Sequence, residues 1–431
     1  MPKEAQVKIE TVAFKGYGVT HLDGKVVFIP YAVTGDEGQV EIVEERKNYS
    51  MGRLKKILVP SPWRVEPLCP VFGQCGGCQW QHIDYAIQGE LKKEILKEVL
   101  ERLGGLKELP SVGVASSPQS YDYRVRVQLK VKGKAIGYYQ ERSHKIVDID
   151  HCPISHPLVN QIIRKLREEI SLFSRMAEIE INVSPEEGKG VLLLHPLSFD
   201  RRMEDSLREL LQVHPVFKGC AVKQKGGLTL FNDPHLHFTT SLNRNGEKRE
   251  IKFRTSPGSF YQVNLEQNRT LNRAVLQFLD VNENERVLDL YAGVGNFTLP
   301  LAVKAKEIIG IEENRTAVDD ARFNAERNRI RNCDFIQGRV EDVLKRWKRE
   351  RTDLILLDPP RMGCKMALDQ MVRLRPKKIV YISCEPTTLS RDLRLFSERG
   401  YSLKGLALID MFPQTYHMEV VALLTQPQVK V

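Results

Sequence analysis

The chain of 431 residues carries 65 lysines and arginines against 55 acidic residues, which gives a formal net charge of +10. Single hydrophobic cores stop growing near ~250 to 300 residues, so the length predicts more than one domain, and we expect three. No apolar run approaches the ~18 residues that span a bilayer, and the polar N-terminus lacks an export signal. We therefore expect a cytoplasmic protein with no membrane partner, and we expect a monomer. The positive charge favours nucleic acid as a partner, although many soluble proteins carry similar charge.

The first 60 residues predict a small β-barrel. Residues 7–59 alternate apolar and polar side chains in short runs that are separated by turn residues. The pattern KNYSMGRL resembles a TRAM domain, an OB-like RNA-binding module. A generic SH3-like or OB barrel without an RNA role is the alternative. We prefer the RNA role because five cations cluster at one end of the predicted barrel: Arg46, Lys47, Arg53, Lys55 and Lys56.

A proline-rich linker at residues 60–67 precedes a second domain, which we expect to be α+β and to span residues 61–255. A cysteine-rich loop leads into an amphipathic helix at about 84–103, which Gly104-Gly105 ends. The segment YRVRVQLKV, residues 123–131, alternates apolar side chains with Arg124, Arg126, Gln128 and Lys130. Its polar face could bind a phosphate backbone, or it could be an ordinary solvent-exposed strand face.

The last part of the chain, residues 256–431, predicts a doubly wound α/β domain. Short, wholly apolar strands alternate with helical stretches: RVLDLY, EIIGIE, CDFIQG, DLILLD, KIVYIS and EVVALL. The fold class is therefore multidomain, with an N-terminal OB-like barrel, a central α+β domain and a C-terminal Rossmann-like domain.

The turn after the first of these strands indicates a nucleoside cofactor. Gly293 and Gly295 stand at the strand-to-helix turn, where the backbone must approach a ligand, and Glu312 ends the next strand. A carboxylate there can bind ribose hydroxyls. An ordinary exposed strand end is the alternative, but the register of Glu312 at the strand end favours the ribose. The turn alone leaves NAD open. The segment DLYAGVGNFTLPLA resembles motif I of class I methyltransferases, and this resemblance implies S-adenosylmethionine.

Two further strand ends carry reactive groups. Strand DLILL ends in Asp358-Pro359-Pro360-Arg361, and strand KIVYIS ends in Cys384. The carboxyl ends of parallel strands face the ligand crevice, so both should meet there. Methylation of uracil C5 requires a thiolate that adds to C6 and a base that removes the C5 proton. Cys384 suits the first role, and Glu419, with His417 two residues earlier on the same predicted strand face, suits the second. Arg361 stands where adenine amino-methyltransferases have an aromatic residue.

These segments resemble the RNA uracil-5-methyltransferase family, on QVN at 262–264, DPPR at 358–361, SCEP at 383–386 and DMFPQTYHME at 410–419. The resemblance implies that Cys384 attacks C6 and Glu419 takes the C5 proton from a uridine flipped out of structured RNA. It implies four ligands of S-adenosylmethionine: Gln262, Tyr291, Glu312 and Asp358. The sequence departs from the family pattern at Gln337-Gly338-Arg339, where an amide or acid often meets the adenine.

A second cysteine set lies in the central domain. Cys69, Cys75 and Cys78 form C-x5-C-x2-C, and Cys152 is the fourth candidate ligand. Spacing alone suits zinc or an iron-sulfur cluster equally. Ribosomal-RNA members of the family carry a [4Fe-4S] cluster on this pattern, and the resemblance therefore implies one here, as a fold staple or RNA-facing element. The other cysteines, Cys220, Cys333 and Cys364, read as core residues.

The sequence thus predicts an RNA (uracil-5-)-methyltransferase acting on 23S ribosomal RNA. Transfer-RNA uracil and RNA cytosine-5 methylation are the enzymatic alternatives; the cytosine enzymes typically carry a cysteine just after the Asp-Pro turn, where this chain has Arg361. From another class, the chain could be a catalytically inactive RNA-binding assembly factor. The intact set Asp358, Cys384 and Glu419 argues against that reading.

Overall fold

The N-terminal region forms an all-β unit. The structure, a computed structural model, describes residues 4–244, 247–348 and 351–426. The first sheet contains β1 (Glu4–Lys8), β2 (Thr11–Ala13), β3 (Tyr17–Leu22), β4 (Lys25–Ile29), β5 (Glu37–Glu45) and β6 (Tyr49–Val59). The strand order is β1-β5-β6-β4-β3-β2, and its inward-facing aliphatic residues form a separate small core. The sheet remains open between β1 and β2, so the predicted closed barrel is a half-barrel.

A helix and a short strand follow the linker. The predicted amphipathic helix is confirmed as α1 (Tyr85–Arg102), whose N-terminus is capped by the Asp84 carboxylate. The next strand, β7 (Val112–Ala115), pairs with a strand near the end of the chain rather than with the central sheet. This segment therefore contributes to the C-terminal core, although it precedes the central sheet in sequence and lies within the span expected for the central domain. The division at residues 60 and 255 stays a prediction.

The central domain is built on a seven-stranded sheet. Its strands are β8 (Arg126–Lys132), β9 (Ala135–Tyr139), β10 (Ile146–Asp148), β11 (Met176–Ser184), β12 (Lys189–Pro196), β13 (Phe217–Gln224) and β14 (Gly227–Asn232). They are arranged in the order β10-β9-β8-β11-β12-β13-β14. Apolar side chains of the sheet pack against α2 (Pro157–Glu168), α3 (Ile170–Phe173) and α4 (Arg201–Val213). A separate hairpin, β15 (Leu236–Arg244) and β16 (Glu247–Thr255), follows.

The C-terminal domain alternates strands and helices as the sequence predicts. The elements are α5 (Leu265–Leu279), β17 (Arg286–Leu290), α6 (Thr298–Ala302), β18 (Glu307–Glu312), α7 (Arg315–Arg327), β19 (Cys333–Gln337), α8 (Val340–Lys345), β20 (Leu354–Leu357), α9 (Leu368–Arg373), β21 (Lys378–Ser383), α10 (Pro386–Glu398), β22 (Ser402–Ile409) and β23 (Glu419–Thr425). All six predicted strands are present. Two were not predicted, β22 and β7.

The eight-stranded sheet has the order β19-β18-β17-β20-β21-β23-β22-β7. The five neighbouring strands β19, β18, β17, β20 and β21 are parallel to one another. Strand β23 lies between β21 and β22 and runs antiparallel to both. The chain leaves β17 toward β18 on one side and returns to β20 on the other, which creates a switch point where open α/β sheets bind ligands. Within the described ranges, no helix is both long and apolar enough to cross a membrane.

Candidate active site

Three strand ends bring a thiol and two carboxyl groups to one edge of the sheet. Asp358 follows β20 and Cys384 follows β21, while Glu419 opens the antiparallel strand β23. The register pairs Ser383 with Val420, which places Cys384 opposite Glu419. The predicted meeting of Asp358, Cys384 and Glu419 is therefore present in the structure.

The two carboxyl groups share a poorly solvated environment. The side chain of Glu419 is only 3% exposed, and its burial raises its pKa well above the usual range, with a further contribution from the charge of Asp358. Burial also raises the pKa of Asp358, to about 7. Like charges this close cannot both ionise readily, so at neutral pH the pair retains a proton. Such a pair can accept and release a proton near neutrality.

The thiol of Cys384 experiences opposing influences. Burial raises its pKa to about 11, and the charges of Glu419 and Asp358 act in the same direction. The guanidinium of Arg361, through its charge and a hydrogen bond to the sulfur, lowers the pKa. The positive N-terminus of α10 begins two residues after the cysteine and also favours a thiolate. Sequence reasoning used Arg361 to argue against an amino-group target and a cytosine target, and its proximity to Cys384 was not predicted.

Helix α1 fixes the segment that leads into β23. Lys92 is fully buried and donates a hydrogen bond from Nζ to Asp410 Oδ1 at 2.7 Å. The Tyr85 hydroxyl donates to the other carboxylate oxygen of Asp410 at 2.9 Å. Four residues further on, the backbone N–H of Gln414 donates to the side-chain oxygen of Gln88 at 3.0 Å. The position of Glu419 therefore depends on a helix that lies more than three hundred residues earlier in the chain.

His417 does not lie on the strand that carries Glu419, because β23 begins at Glu419 itself. The predicted strand face shared by the two side chains is therefore wrong. Burial, together with the charges of Arg361 and Lys92, lowers the pKa of His417 to about 3. A neutral imidazole at this place faces the cavity of the central-domain cysteines instead.

The turn after β17 is shaped for close approach of a ligand. Tyr291 and Gly293 both have positive φ angles, of 64° and 54°. A Cβ atom built on Gly293 would meet no other atom within 4 Å, so this side of the turn is open. The Glu312 carboxylate receives the Gly293 N–H at 2.9 Å and the Asn314 N–H at 2.7 Å. These bonds fix the carboxylate beside the open turn, with lone pairs left for further donors.

Another acid, Asp289, lies next to the same turn. Asp289, in β17, is buried, and burial raises its pKa to about 7, while a hydrogen bond from Thr298 acts in the opposite direction. The charges of Asp358 and Glu312 raise this pKa further, which indicates that the three acids are close together. Asp289 Oδ1 is buried and has no hydrogen-bond partner in the described structure. This crevice electrostatically favours a ligand that carries positive charge.

Gln262 lies on a segment that bridges the two halves of the crevice. At one side, the Asn314 side chain donates to the Gly258 carbonyl at 3.2 Å. At the other side, the Asn264 side chain donates to the Met411 carbonyl at 3.4 Å. Gln262, between these contacts, is 6% exposed. The structure therefore places it between the end of β18 and the approach to β23.

The loop after β19 contains the departure from the family pattern. Arg339 is exposed, and its Nε lies 3.8 Å from a carboxylate oxygen of Glu341. Glu341 is partly buried, and after burial itself its charge is the largest influence that raises the pKa of Tyr291. An acid therefore faces the tyrosine from the first turn of α8. Glu341 was not predicted, because its proximity to Tyr291 arises only from folding.

The four central-domain cysteines line one cavity of about 330 Å³, together with Arg361 and His417. Burial raises the pKa of Cys69 and, to about 11, that of Cys75. The charge of Cys152 contributes to both shifts. Within the described ranges, no group of three or more His, Cys, Asp or Glu side chains is arranged to hold a metal ion. The predicted core positions of Cys220 and Cys364 are confirmed, while Cys333 and Cys384 are only partly buried.

The predicted basic surfaces are largely paired with acids. On β8, Arg126 lies 2.9 Å from Glu180, and Lys130 forms an ion pair with Glu178, both on β11. In the N-terminal sheet Glu41 pairs with two of the five clustered cations, Arg53 and Lys55, and Glu44 pairs with Arg46. For Lys47 and Lys56 the described structure records no ion pair. The cationic surface is therefore smaller than the sequence indicates.

The doubly wound sheet, with a thiol and several carboxyl groups at its switch point, defines an enzyme that binds a ligand in this crevice. The sequence model of the tRNA (uracil-5-)-methyltransferase family matches residues 84–427. The chain belongs to this family and is a methyltransferase.

Similar proteins match along the whole chain. The chain is 35% identical to an uncharacterized RNA methyltransferase of Aquifex aeolicus, across 98% of both proteins. It is 34% identical to 23S rRNA (uracil(1939)-C(5))-methyltransferase RlmD of Pectobacterium atrosepticum, across 98% of this chain and 93% of that protein. Among solved structures, it resembles the Pyrococcus abyssi tRNA (uracil-54, C5)-methyltransferase in complex with S-adenosyl-L-homocysteine. That match has a TM-score of 0.76 and 26% identity, and covers 97% of this chain and 99% of that one.

Proposed function

We propose that the protein transfers a methyl group from S-adenosylmethionine to C5 of a uridine in 23S ribosomal RNA. The observation that carries this proposal is the convergence of Cys384, Glu419 and Asp358 beside the crevice at the switch point. Uracil C5 is a poor nucleophile, so its methylation requires a thiolate that adds to C6 and a base that removes the C5 proton. A thiol beside a pair of carboxyl groups provides both.

The crevice suits S-adenosylmethionine better than a dinucleotide. Asp289, Glu312 and Asp358 provide negative charge, which would repel a pyrophosphate and attract a sulfonium and an ammonium group. S-adenosylmethionine, when bound, would supply the methyl group. Tyr291 lies in the open turn after β17, and Gln262 lies on the segment between the end of β18 and the approach to β23. We assign both, with Glu312 and Asp358, to the binding of S-adenosylmethionine. The solved relative from Pyrococcus abyssi contains S-adenosyl-L-homocysteine, which supports this assignment.

The protein side chains would act in two steps. The carboxyl pair first takes the proton of Cys384 and passes it to solvent, so the pair is again able to accept a proton. The thiolate then adds to C6 of the uracil, which moves electron density onto C5. After C5 is methylated, Glu419 removes the C5 proton, and the C6–sulfur bond breaks to release the product. Arg361 would stabilise the thiolate between these events, because this guanidinium already lowers the pKa of the Cys384 thiol.

Two substitutions separate these steps. We expect Cys384→Ala to abolish methyl incorporation into RNA while S-adenosylmethionine still binds, as measured by calorimetry. We expect Glu419→Gln to permit addition and methylation but to stall release, so a protein-RNA adduct should survive denaturing electrophoresis. Cys220→Ser, in the core of the central domain, is the matched control for Cys384 and should retain activity. Substantial turnover by Cys384→Ala would exclude the covalent mechanism, whereas RNA binding without any turnover by the wild-type protein would favour an inactive assembly factor.

Ribosomal RNA is proposed as the substrate because the relative named for it is 34% identical to this chain, against 26% for the relative named for transfer RNA. The Pectobacterium protein is named for a uridine of 23S ribosomal RNA, whereas the Pyrococcus protein is named for transfer RNA. Purified protein should therefore methylate a 23S ribosomal RNA fragment in preference to transfer RNA, and mass spectrometry should identify 5-methyluridine. A preference for transfer RNA, or a product on cytosine, would overturn this choice of substrate and leave the chemistry of Cys384 intact.

We also propose a [4Fe-4S] cluster on Cys69, Cys75, Cys78 and Cys152. All four thiols line one cavity of about 330 Å³, which is larger than a single ion requires. Four thiols suit either zinc or an iron-sulfur cluster, and the resemblance to ribosomal-RNA members of the family favours the cluster. The cluster would join the loop at 69–78 to Cys152 and would stabilise the central domain when bound.

Colour tests this assignment. Protein purified without oxygen should be brown, and its broad visible absorption should bleach on chelation. Cys152→Ser should lose the colour and destabilise the central domain, whereas Cys220→Ser, a buried cysteine of the same domain outside the cavity, should retain it. Colourless anaerobic protein with stoichiometric zinc would exclude the iron-sulfur cluster. The proposals of a monomer and of a cytoplasmic location rest on sequence alone.

A further inference from the structure

Two methionines close in sequence to the candidate active-site residue Arg361 are exposed to solvent. Met362 and Met366 are 82% and 71% exposed, and within the described ranges no other large apolar side chain is as exposed as Met362. Single exposed apolar residues are ordinary at protein surfaces and need no explanation. Here, however, the pair follows directly after Arg361, whose guanidinium contacts the Cys384 thiol.

The segment that carries the methionines is fixed by α10, the helix that follows Cys384. The Met362 carbonyl accepts a hydrogen bond from Arg391 at 2.8 Å, and the Cys364 N–H donates to the buried Asp392 carboxylate at 2.8 Å. Gly363 has a φ of +78°, and a Cβ atom there would lie 2.3 Å from Asp392 Oδ2. A glycine is therefore required between the loop and the helix. The loop is rigidly attached to the same helix that positions Cys384, and it presents both methionines to solvent.

The flanking charge fits a polyanion. Arg361 and Lys365 are both exposed and bracket Met362 in sequence. In the described part of the chain, neither has a recorded ion pair with an acid, unlike most cations of β8 and the N-terminal sheet. Two exposed methionines next to exposed cations match stacked bases that are bordered by phosphates, with Lys365 facing the phosphates and Arg361 next to the thiol. A protein partner would not require both cations next to the active site.

We infer that Met362 and Met366 pack against the RNA bases next to the target uridine and fill the gap that this uridine leaves when it enters the site. This inference rests on the proposed function. Apolar side chains, methionine among them, are used by nucleic-acid-binding proteins as wedges between base steps. The thioether side chain is flexible and polarizable, so it adapts to any base face. The methionines are positioning residues: they favour the extruded state and do not touch the reacting atoms.

The test compares one uridine in two settings. The double variant Met362→Ala/Met366→Ala is measured on a structured ribosomal RNA fragment and on a short single-stranded RNA that contains the same uridine. On the structured RNA we expect kcat/KM to fall about tenfold to a hundredfold, because unstacking the uridine is no longer compensated. On the single strand, the change should stay within about twofold, since little stacking has to be broken. Leu197→Ala, equally exposed at 74% but on the central domain, should change neither value.

A binding measurement keeps the inference separate from the chemistry. With 2-aminopurine placed next to the target uridine, wild-type protein and Met362→Leu/Met366→Leu should change its fluorescence on binding, whereas the double alanine variant should not. This readout needs no methyl transfer, so an inactive wild type would overturn the proposed function and leave the wedge testable. Equal losses on both RNAs, or unchanged kcat/KM on both, would overturn the wedge, as would a variant that alters only self-association.

Discussion

At the scale of single residues, the reactivity of Cys384 is set first by its burial and then by its charged neighbours. Burial and the charges of Glu419 and Asp358 hold the proton on the sulfur, while Arg361 favours its release. A thiol kept protonated in the free protein is protected from oxidation, because the thiolate is the reactive form. Binding of a cation in the crevice would weaken the influence of the acids and favour the thiolate. If Cys384 is the nucleophile, as we propose, it would be best activated when the crevice is occupied.

The opposing influences on Cys384 can be separated by two substitutions with opposite expected signs. Glu419→Gln removes a negative charge and should lower the pKa of Cys384 from about 11, whereas Arg361→Met removes the stabilising cation and should raise it. Each shift is measured from the pH dependence of alkylation by iodoacetamide, read for the Cys384 peptide by mass spectrometry. Cys333, whose pKa is also raised to about 11 by burial, is an internal control and should not respond. Shifts of the same sign in both variants would contradict the electrostatic account.

At the scale of secondary-structure elements, α1 connects the active site to the rest of the molecule. Its polar side chains Tyr85, Gln88 and Lys92 are directed into the protein and bind the segment from Asp410 to Gln414. Breaking a buried ion pair by removing one partner leaves an uncompensated charge, which typically costs about 3 to 5 kcal/mol. The approach to β23 is thereby fixed by a few strong polar contacts.

Two adjacent lysines of α1 make a matched test of this contact. Lys92→Met leaves Asp410 buried and unpaired, and we expect it to reduce the free energy of unfolding of the C-terminal domain by about 3 to 5 kcal/mol. Lys93→Met removes only an exposed pair with Glu90, 2.8 Å apart, which is worth about 0.2 to 0.5 kcal/mol. Denaturant unfolding followed by tryptophan fluorescence measures both. Restoring stability with Lys92→Met/Asp410→Leu would confirm that the unpaired charge is the cause, and equal losses in both single variants would contradict it.

The sequence predicted the elements of this site better than their partners. The strands before Asp358 and Cys384 are wholly apolar and short, so their type and their ends are visible in the sequence. Strand β7 has only four residues and pairs with β22, nearly three hundred residues later, which no local pattern reveals. The polar face of β8 looked free for RNA, yet Glu180 from β11 pairs with Arg126. Pairing between residues so far apart in sequence depends on tertiary structure. Such pairing accounts for most of the differences between the predicted and the observed structure.

At the scale of the whole molecule, the N-terminal sheet is attached to the central domain close to the cysteine loop. The hydroxyls of Tyr17 and Tyr31 donate to the two carboxylate oxygens of Glu141, at 3.2 and 3.0 Å. Gln140, the preceding residue, forms an isolated bridge with Cys75. RNA bound to the N-terminal sheet would therefore extend across the cysteine loop toward the candidate active site. The orientation of the sheet is set by the same short segment that supports the proposed cluster.

The contribution of the N-terminal sheet to RNA binding should reside in its unpaired cations. We expect deletion of residues 1–60 to weaken RNA binding and flatten its dependence on salt, because each lost phosphate contact removes about 0.7 to 0.9 from the slope of log K against log salt. Lys47→Ala/Lys56→Ala should reproduce most of this change without removing the contacts of Tyr31. Arg53→Ala should have little effect, since Glu41 already neutralises this guanidinium. Fluorescence anisotropy with a ribosomal RNA fragment at several salt concentrations gives the slopes. A slope that responds equally to Arg53→Ala would show that the ion pair opens on binding, and an unchanged slope after the deletion would make the sheet a structural attachment only.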